Sequence, residues 1–250
     1  MPYGMYISAE GAQAQAARLN VIANNLANVD TVGFKRDLAL FQARYAEETE
    51  RGIDYPGSRT INDVGGGVVV RETRTQHNPG PMADTGNVTD MAIGGPGFFM
   101  VRDGQQDYLT RAGNFVLSNT GALETQEGHA VLDDARQPIQ IDPAGPTWDV
   151  MTDGTISQAG TNIRLALVEP PSLGDLAKVG ENRFMPLATT QPVPEADRRV
   201  LNRRLEMSGV KPALEMMDMI EASRAFEANV NLIRNQDQML GTLINRVMRT

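Results

Sequence analysis

Helix-breaking residues are confined to the middle of this chain, and that segregation limits its fold more than any other feature. No proline lies between Pro2 and Pro56 or after Pro212, whereas 12 of the 14 prolines fall from Pro56 to Pro194. Most of the 24 glycines lie between Gly52 and Gly180. Proline removes a backbone donor and glycine loosens the chain, so the two ends read as helices and the middle as short strands and turns.

The N-terminal end carries an apolar seam. Met5, Ala9, Ala12, Ala16, Leu19, Ala23 and Leu26 follow one another at steps of 4, 3, 4, 3, 4 and 3, the spacing of a coiled-coil stripe. Four of the seven are alanine, so a partner helix can approach closely, but small side chains bury too little area to hold a lone helix. Asn24, Asn25 and Asn28, followed by Gly33, mark where the pattern dissolves, because both residue types tolerate the left-handed conformation that ends helices.

At the C-terminal end Met216, Met219, Ser223, Phe226, Val230, Ile233, Asp237, Leu240, Ile244 and Val247 alternate steps of 3 and 4. Pro212 suits a first helical turn and Glu215 suits the positive end of the helix dipole. These signals predict helices over about Met5–Asn28 and Lys211–Arg246. Met217, Ile220, Met239 and Leu243 widen the apolar face beyond one seam, which implies more than one neighbour. Phe226 is expected at the centre of that seam.

Between the ends the vocabulary is that of hairpins. Gly67–Gln76, Gly97–Arg102, Tyr108–Leu117, Trp148–Thr152 and Asn162–Val168 read as strands, with turns at Asp103-Gly104, Asn119–Gly121 and Asp153-Gly154. Glu47–Gly67 is weakly patterned and reads as a linker or loop. The fold class is therefore α+β. N- and C-terminal helices pair as a coiled-coil-like helical part around an inserted, mainly antiparallel β domain. The expected division is residues 1–32 for the first helix, 33–80 for a linker and extended segment, 81–205 for the β-rich domain and 206–250 for the last helix. Pairing the ends closes a loop of roughly 180 residues, a cost that grows only logarithmically.

Charge and motifs narrow the function. A formal net charge of −8 disfavours nucleic acid, which needs a basic footprint. Cysteine is absent, which excludes disulfides and thiolate chemistry. Met1–Glu10 shows no cationic stretch followed by an apolar run, and no 18 consecutive residues are apolar, so neither a cleaved secretory signal nor membrane insertion is expected. The C-terminal helix also mixes Glu221, Arg224, Glu227, Arg234 and Asp237 on its polar face, lacking the cationic bias of a membrane-surface helix. His77 and His129, the only histidines, read as surface residues in turn-rich surroundings. Gly94, Gly95 and Gly97 form no dinucleotide fingerprint, and Gly65–Gly67 lacks the lysine of a phosphate loop. No catalytic, cofactor-binding or metal-ligating residue is expected, and no small-molecule substrate. The competing class is a cell-wall glycan-binding or hydrolytic β domain, with Asp133, Asp134 and Trp148 as its best residues. Adjacent carboxylates on a strand point to opposite faces, which favours a hairpin tip instead.

Four blocks of the sequence carry a resemblance. Ile22–Lys35 (IANNLANVDTVGFK), Thr85–Val101 (TGNVTDMAIGGPGFFMV), Tyr108–Phe115 (YLTRAGNF) and the run from Leu205 to Leu240, containing SGVKPALEMMDMIEASRAFEANVNLIRNQDQML, resemble in order the motifs of the bacterial flagellar rod and hook protein family. Gly209 stands where the family usually has Asn, and Ala213-Leu214 replaces a more common Val pair. Within the family, MPYGMYIS at the start and the chain length are closer to the proximal rod type, and Asn235–Leu240 is closer to the distal rod type; a hook-type subunit is usually longer. The resemblance implies a structural subunit of the basal-body rod, passed unfolded through the flagellar type III export apparatus. Its partners would be other rod subunits and itself. Together, seam and resemblance nominate an assembly interface of Leu19, Ala23, Asn24, Asn25, Leu26, Asn28, Gly33 and Phe34 near the N-terminus. In the C-terminal helix they nominate Met216, Met219, Ile220, Phe226, Val230, Ile233, Leu240 and Ile244.

Overall fold

The computed structural model describes residues 3–55, 57–60 and 65–248. It divides the chain into two compact units. One gathers the N-terminal end up to Ala27, the segment Asp37–Gln76 and the C-terminal end from Lys211; the other comprises Asn28–Arg36 and His77–Val210.

The first, helical unit contains α1 (Tyr3–Ala27), β1 (Asp37–Arg44), the single turn α2 (Glu47–Glu50), β2 (Gly67–Thr75) and α3 (Pro212–Val247). α1 packs on both α3 and the hairpin. The strands β1 and β2 pair antiparallel from Asp37 opposite Thr75 to Arg44 opposite Gly67, with a bulge between Leu40 and Phe41. The sequence predicts β2 but no separate strand at β1, whose extended form is fixed by pairing with β2. The segment from 33 to 80 is therefore no simple linker: a hairpin built on α1 fills most of it. Lys211 caps α3 with an extended backbone, and its carbonyl accepts from Leu214 N and Glu215 N. Pro212 then occupies the first turn without the loss of a hydrogen bond.

The second unit is built of β-strands, with short 3-10 turns at Leu173–Asp175 and Glu195–Asp197. Its largest sheet runs β14 (Leu176–Gly180), β15 (Arg183–Pro186), β6 (Gln106–Thr110), β5 (Phe98–Asp103), β9 (Ala130–Val131), β8 (Leu123–Glu124) and β7 (Val116–Leu117), and β13 (Leu167–Glu169) joins β5 to β16 (Gln191–Pro192). A three-stranded sheet holds β10 (Asp149–Val150), β11 (Thr155–Gln158) and β12 (Thr161–Arg164). Two short ribbons pair β4 (Met91–Ile93) with β17 (Val200–Asn202) and β3 (Met82–Asp84) with β18 (Arg204–Glu206). Every pairing between these strands is antiparallel.

The FFMV run explains the core. Phe99 and Val101 face one cluster with Met91, Ile93, Phe115 and Leu123, while Phe98 and Met100 face the other with Leu109, Leu132, Val168 and Phe184. Successive side chains on a strand point to opposite faces, so an unbroken apolar run marks a strand covered on both sides. The expected strand Tyr108–Leu117 is in fact two, β6 and β7. The break falls at Arg111, whose side chain turns inward to a buried carboxylate, and at Asn114, which bridges Asp90. Asn162–Val168 likewise splits into β12 and β13, and Trp148–Thr152 shortens to Asp149–Val150.

Candidate assembly surface

α1 and α3 run antiparallel in a register set by small and polar residues. A Cβ at Gly4 would lie 2.7 Å from Gln236 Nε2, and one at Gly11 would lie 2.9 Å from Asn229 Oδ1. At the far end Asn25 Nδ2 donates to Glu215 Oε2 at 3.3 Å. The partners descend α3 by sevens as they climb α1 by sevens, which is heptad packing. Between them Arg18 pairs with Asp218 at 3.4 Å and Glu221 at 3.8 Å, and Ala222 is fully buried.

This pairing shifts the seam expected on α3. Met219, Phe226, Ile233 and Leu240 lie on the stripe facing α1 and are partly buried, but Glu215, Ala222, Asn229 and Gln236 complete it in place of Met216, Ser223, Val230 and Asp237. On α1 the buried residues are Ser8, Ala12, Ala14, Ile22 and Asn25, of which only Ala12 belongs to the apolar seam. Gly4 and Gly11 let the backbones come together, and the Asn25–Glu215 bond fixes one end. The interface interleaves small and polar residues with apolar ones. Gln15 Oε1 and Gln236 Oε1 are both buried without a hydrogen-bond partner, a defect that well-sealed interfaces avoid.

What α1 leaves uncovered on α3 is a mostly polar surface that carries two apolar patches. Leu214, Met216, Met217 and Ile220 form an exposed patch near the start of α3, and Met239, Leu243, Ile244 and Val247 form another near its end. The heptad register reaches about residue 237 opposite Tyr3, so the last ten or so residues of α3, about 15 Å of helix, run past the first described residue of α1. Leu240, Leu243 and Val247 continue the α1-facing spacing into this overhang.

The other nominated residues divide sharply. Ala23 and Asn24 are exposed, and Leu19, Leu26 and Val230 are partly covered. Asn25 is used within the helical unit: its side chain also donates to Asp37 O at 2.8 Å and accepts from Asp37 N at 2.9 Å. Three more of the nominated residues, Asn28, Gly33 and Phe34, belong to the β unit. Asn28 caps a turn by accepting from Thr31. Gly33 adopts φ +69°, donates to Glu206 O at 2.7 Å and sits where a Cβ would fall 2.4 Å from Ala112 N. Phe34 is buried with Lys178 Nζ 3.9 Å above its ring. Asn25, Gly33 and Phe34 are thus interior residues that present no surface to a neighbour.

Lys35, next in that motif, is buried as well. Its ammonium donates to Glu206 Oε1 at 2.5 Å and Asn78 O at 3.0 Å. Arg111 donates to Glu206 Oε2 and Ile93 O, both at 3.3 Å, and to Gly95 O at 3.0 Å. Burial pushes the Lys35 ammonium below its ordinary range despite the carboxylate beside it. Sequence reasoning missed Glu206 and Arg111, since no local spacing links them to Lys35. It also missed Leu214 and the exposed Tyr3, Tyr6, Tyr45, Ile53 and Tyr55 of the helical unit.

The residues of the glycan reading are engaged structurally. Asp133 accepts from Gln137 N at 2.7 Å in a turn, Asp134 pairs with the buried Arg198 at 3.3 Å, and Trp148 packs on the core. His77 and His129, expected at the surface, are partly buried: His77 lies against Phe98 and Phe184, and His129 lies between the exposed carboxylates of Asp103 and Glu181. Among the described residues no cluster of His, Asp and Glu could hold a metal, and no helix is long and apolar enough to cross a membrane.

Comparison with known proteins gives three family models along the chain. Residues 5–35 match the flagella basal body rod protein model, residues 92–159 the flagellar hook protein FlgE/F/G D1 domain, and residues 201–246 the C-terminal model of flagellar basal body rod FlgEFG proteins. The flagellar basal-body rod protein FlgF of Caulobacter vibrioides is 32% identical over 99% of this chain and 98% of the relative. FlgG of Bacillus subtilis is 30% identical over 96% and 97%, and FlgF of Rhizobium meliloti is 32% identical over 98% and 97%.

Proposed function

This chain belongs to the flagellar basal-body rod protein family of bacteria, and from that premise we propose that it is a structural subunit of the axial rod, polymerising through the uncovered face of α3. The observation that carries this reading is the pair of exposed apolar patches on α3, one of them on an overhang that extends the heptad spacing beyond α1. Covering a leucine, isoleucine or methionine side chain contributes about 1.5–3 kcal/mol each, so two such patches favour association. Patches at separate ends of one helix suit head-to-tail contacts, which propagate into an open helical array instead of closing into a ring. The unsatisfied Gln15 and Gln236 in the α1–α3 seam agree with a unit completed by its neighbours. In this reading the chain ends, residues 1–32 and 206–250, supply the rod core, and its partners are further copies and other rod subunits.

The role is structural and not catalytic, in keeping with the engagement of Asp133 and Asp134 in turn and ion-pair contacts. Passage through the flagellar type III export apparatus accompanies this reading, and the resemblance of MPYGMYIS favours the proximal rod type. The test is electron microscopy of basal bodies from cells lacking the chain and complemented with Ile220→Asp or Leu243→Asp. Each substitution places a charge where apolar surface is to be desolvated, and rods truncated at the same point as in the deletion are expected. Full-length rods with either variant would remove α3 from the assembly surface.

A further inference from the structure

Three of the exposed methionines lie in the two apolar patches of α3, while Met151 in the β unit and Met248 after α3 are 52% and 81% exposed as well. With no cysteine in the sequence, methionine is the one side chain able to take up oxygen at sulfur. Met216, Met217 and Met239 are 49%, 67% and 64% exposed, whereas Met91 and Met100 in the β unit are 0% and 3% exposed. Met216 and Met217 lie in the patch with Leu214 and Ile220, and Met239 lies in the patch with Leu243, so both apolar surfaces carry a reactive thioether.

We propose that Met216, Met217 and Met239 are an oxidation site, and that their conversion to sulfoxides by hydrogen peroxide keeps the free subunit out of the rod. The proposal rests on the assembly reading above and adds a chemical control to it. The sulfur lone pair attacks one peroxide oxygen, and the O–O bond breaks as the S–O bond forms. Sulfur loses two electrons, and the departing hydroxide takes the proton of the transferred oxygen and leaves as water. A flexible apolar side chain becomes a polar one with a strong acceptor. Covering that acceptor without a donor is unfavourable, so the patch no longer gains by being buried. Subunits already in place shield these sulfurs, which confines the sensitivity to the interval before incorporation.

Peptide mass spectrometry of the purified full chain in hydrogen peroxide tests the site: sulfoxide should form at Met216, Met217 and Met239 at least about tenfold faster than at Met91 and Met100. The consequence is tested in cells lacking the chain, complemented with the triple variant carrying leucine at 216, 217 and 239 or with glutamine at the same positions. The leucine set should build rods at the wild-type level. The glutamine set, a polar mimic of the sulfoxide, should incorporate at least about tenfold less, equivalent to about 1.4 kcal/mol. Equal oxidation rates in the core and on α3 would overturn the site. Glutamine variants that assemble like leucine ones, or leucine variants that fail like glutamine ones, would overturn the consequence. A wild-type chain absent from isolated rods would sink the assembly reading itself while leaving the oxidation pattern to be read independently.

Discussion

Lys35, Glu206 and Arg111 set two cations around one carboxylate, all three buried in the β unit. Removing one member of such a cluster costs more than the cluster contributes, because the remaining charges stay buried and unmatched. Glu206→Gln should therefore destabilise the β unit by about 3–5 kcal/mol. Urea unfolding followed by Trp148, the only tryptophan in the chain, measures this, and a change under about 1 kcal/mol would contradict the reading. The same cluster predicts an unusual pH response. Burial depresses the Lys35 ammonium from its ordinary value of 10.5, so in the alkaline window just below that value the unfolded chain binds more protons than the folded one. Stability contributed by this group should rise with pH through that window. Wild type should gain against Lys35→Met in the Trp148 assay as pH increases, and a widening deficit would reverse the sign. The GFK motif was legible in the sequence through its family resemblance. Its burial was not, because the carboxylate that receives Lys35 stands 171 residues away and no local pattern announces it.

The two long helices show what heptad spacing conveys and what it leaves out. Their existence and ends were legible to within two residues, since breakers are excluded and Pro212 marks a start. The phase was not. Apolar spacing selects the stripe with most hydrophobic atoms, whereas the structure pairs the stripe that contains Gly4, Gly11, Asn25 and Glu215. Close approach and one buried hydrogen bond outweigh apolar count here, and the richer stripe of α3 is left partly outward. Gly11→Leu should separate the helices by forcing a side chain into Asn229, lowering far-UV helical ellipticity while Trp148 emission stays unchanged. Phe226→Asp belongs to the same class: Phe226 lies on the α1-facing stripe, so this substitution tests the intramolecular pair, whereas Ile220, on the outer face, and Leu243, in the overhang past α1, test the assembly surface. Equal helicity in wild type and Gly11→Leu would refute the register described here.

At the level of the whole molecule, the β unit is nearly continuous in sequence, while the helical unit draws on three stretches separated by as many as 134 residues, the length of His77–Val210. A chain ending at Val210 should keep the cooperative Trp148 transition of the β unit and lose helical signal beyond the 36 residues of α3, because an alanine-rich α1 without its partner is marginal in water. Retention of α1 helicity in that truncation would argue for an independent fold. This nesting was legible from the placement of proline and glycine. The boundary was not, since Asn28–Arg36 pairs with strands far downstream. One consequence concerns timing. When Ala27 leaves the ribosome the hairpin that covers one side of α1 follows at once, but α3, which covers the other, comes roughly 10–40 s later at about 5–20 residues per second. Throughout that delay the α3-facing side of the first helix stays bare, open to chaperones and proteases, and its maturation waits on the arrival of a segment at the other end of the chain.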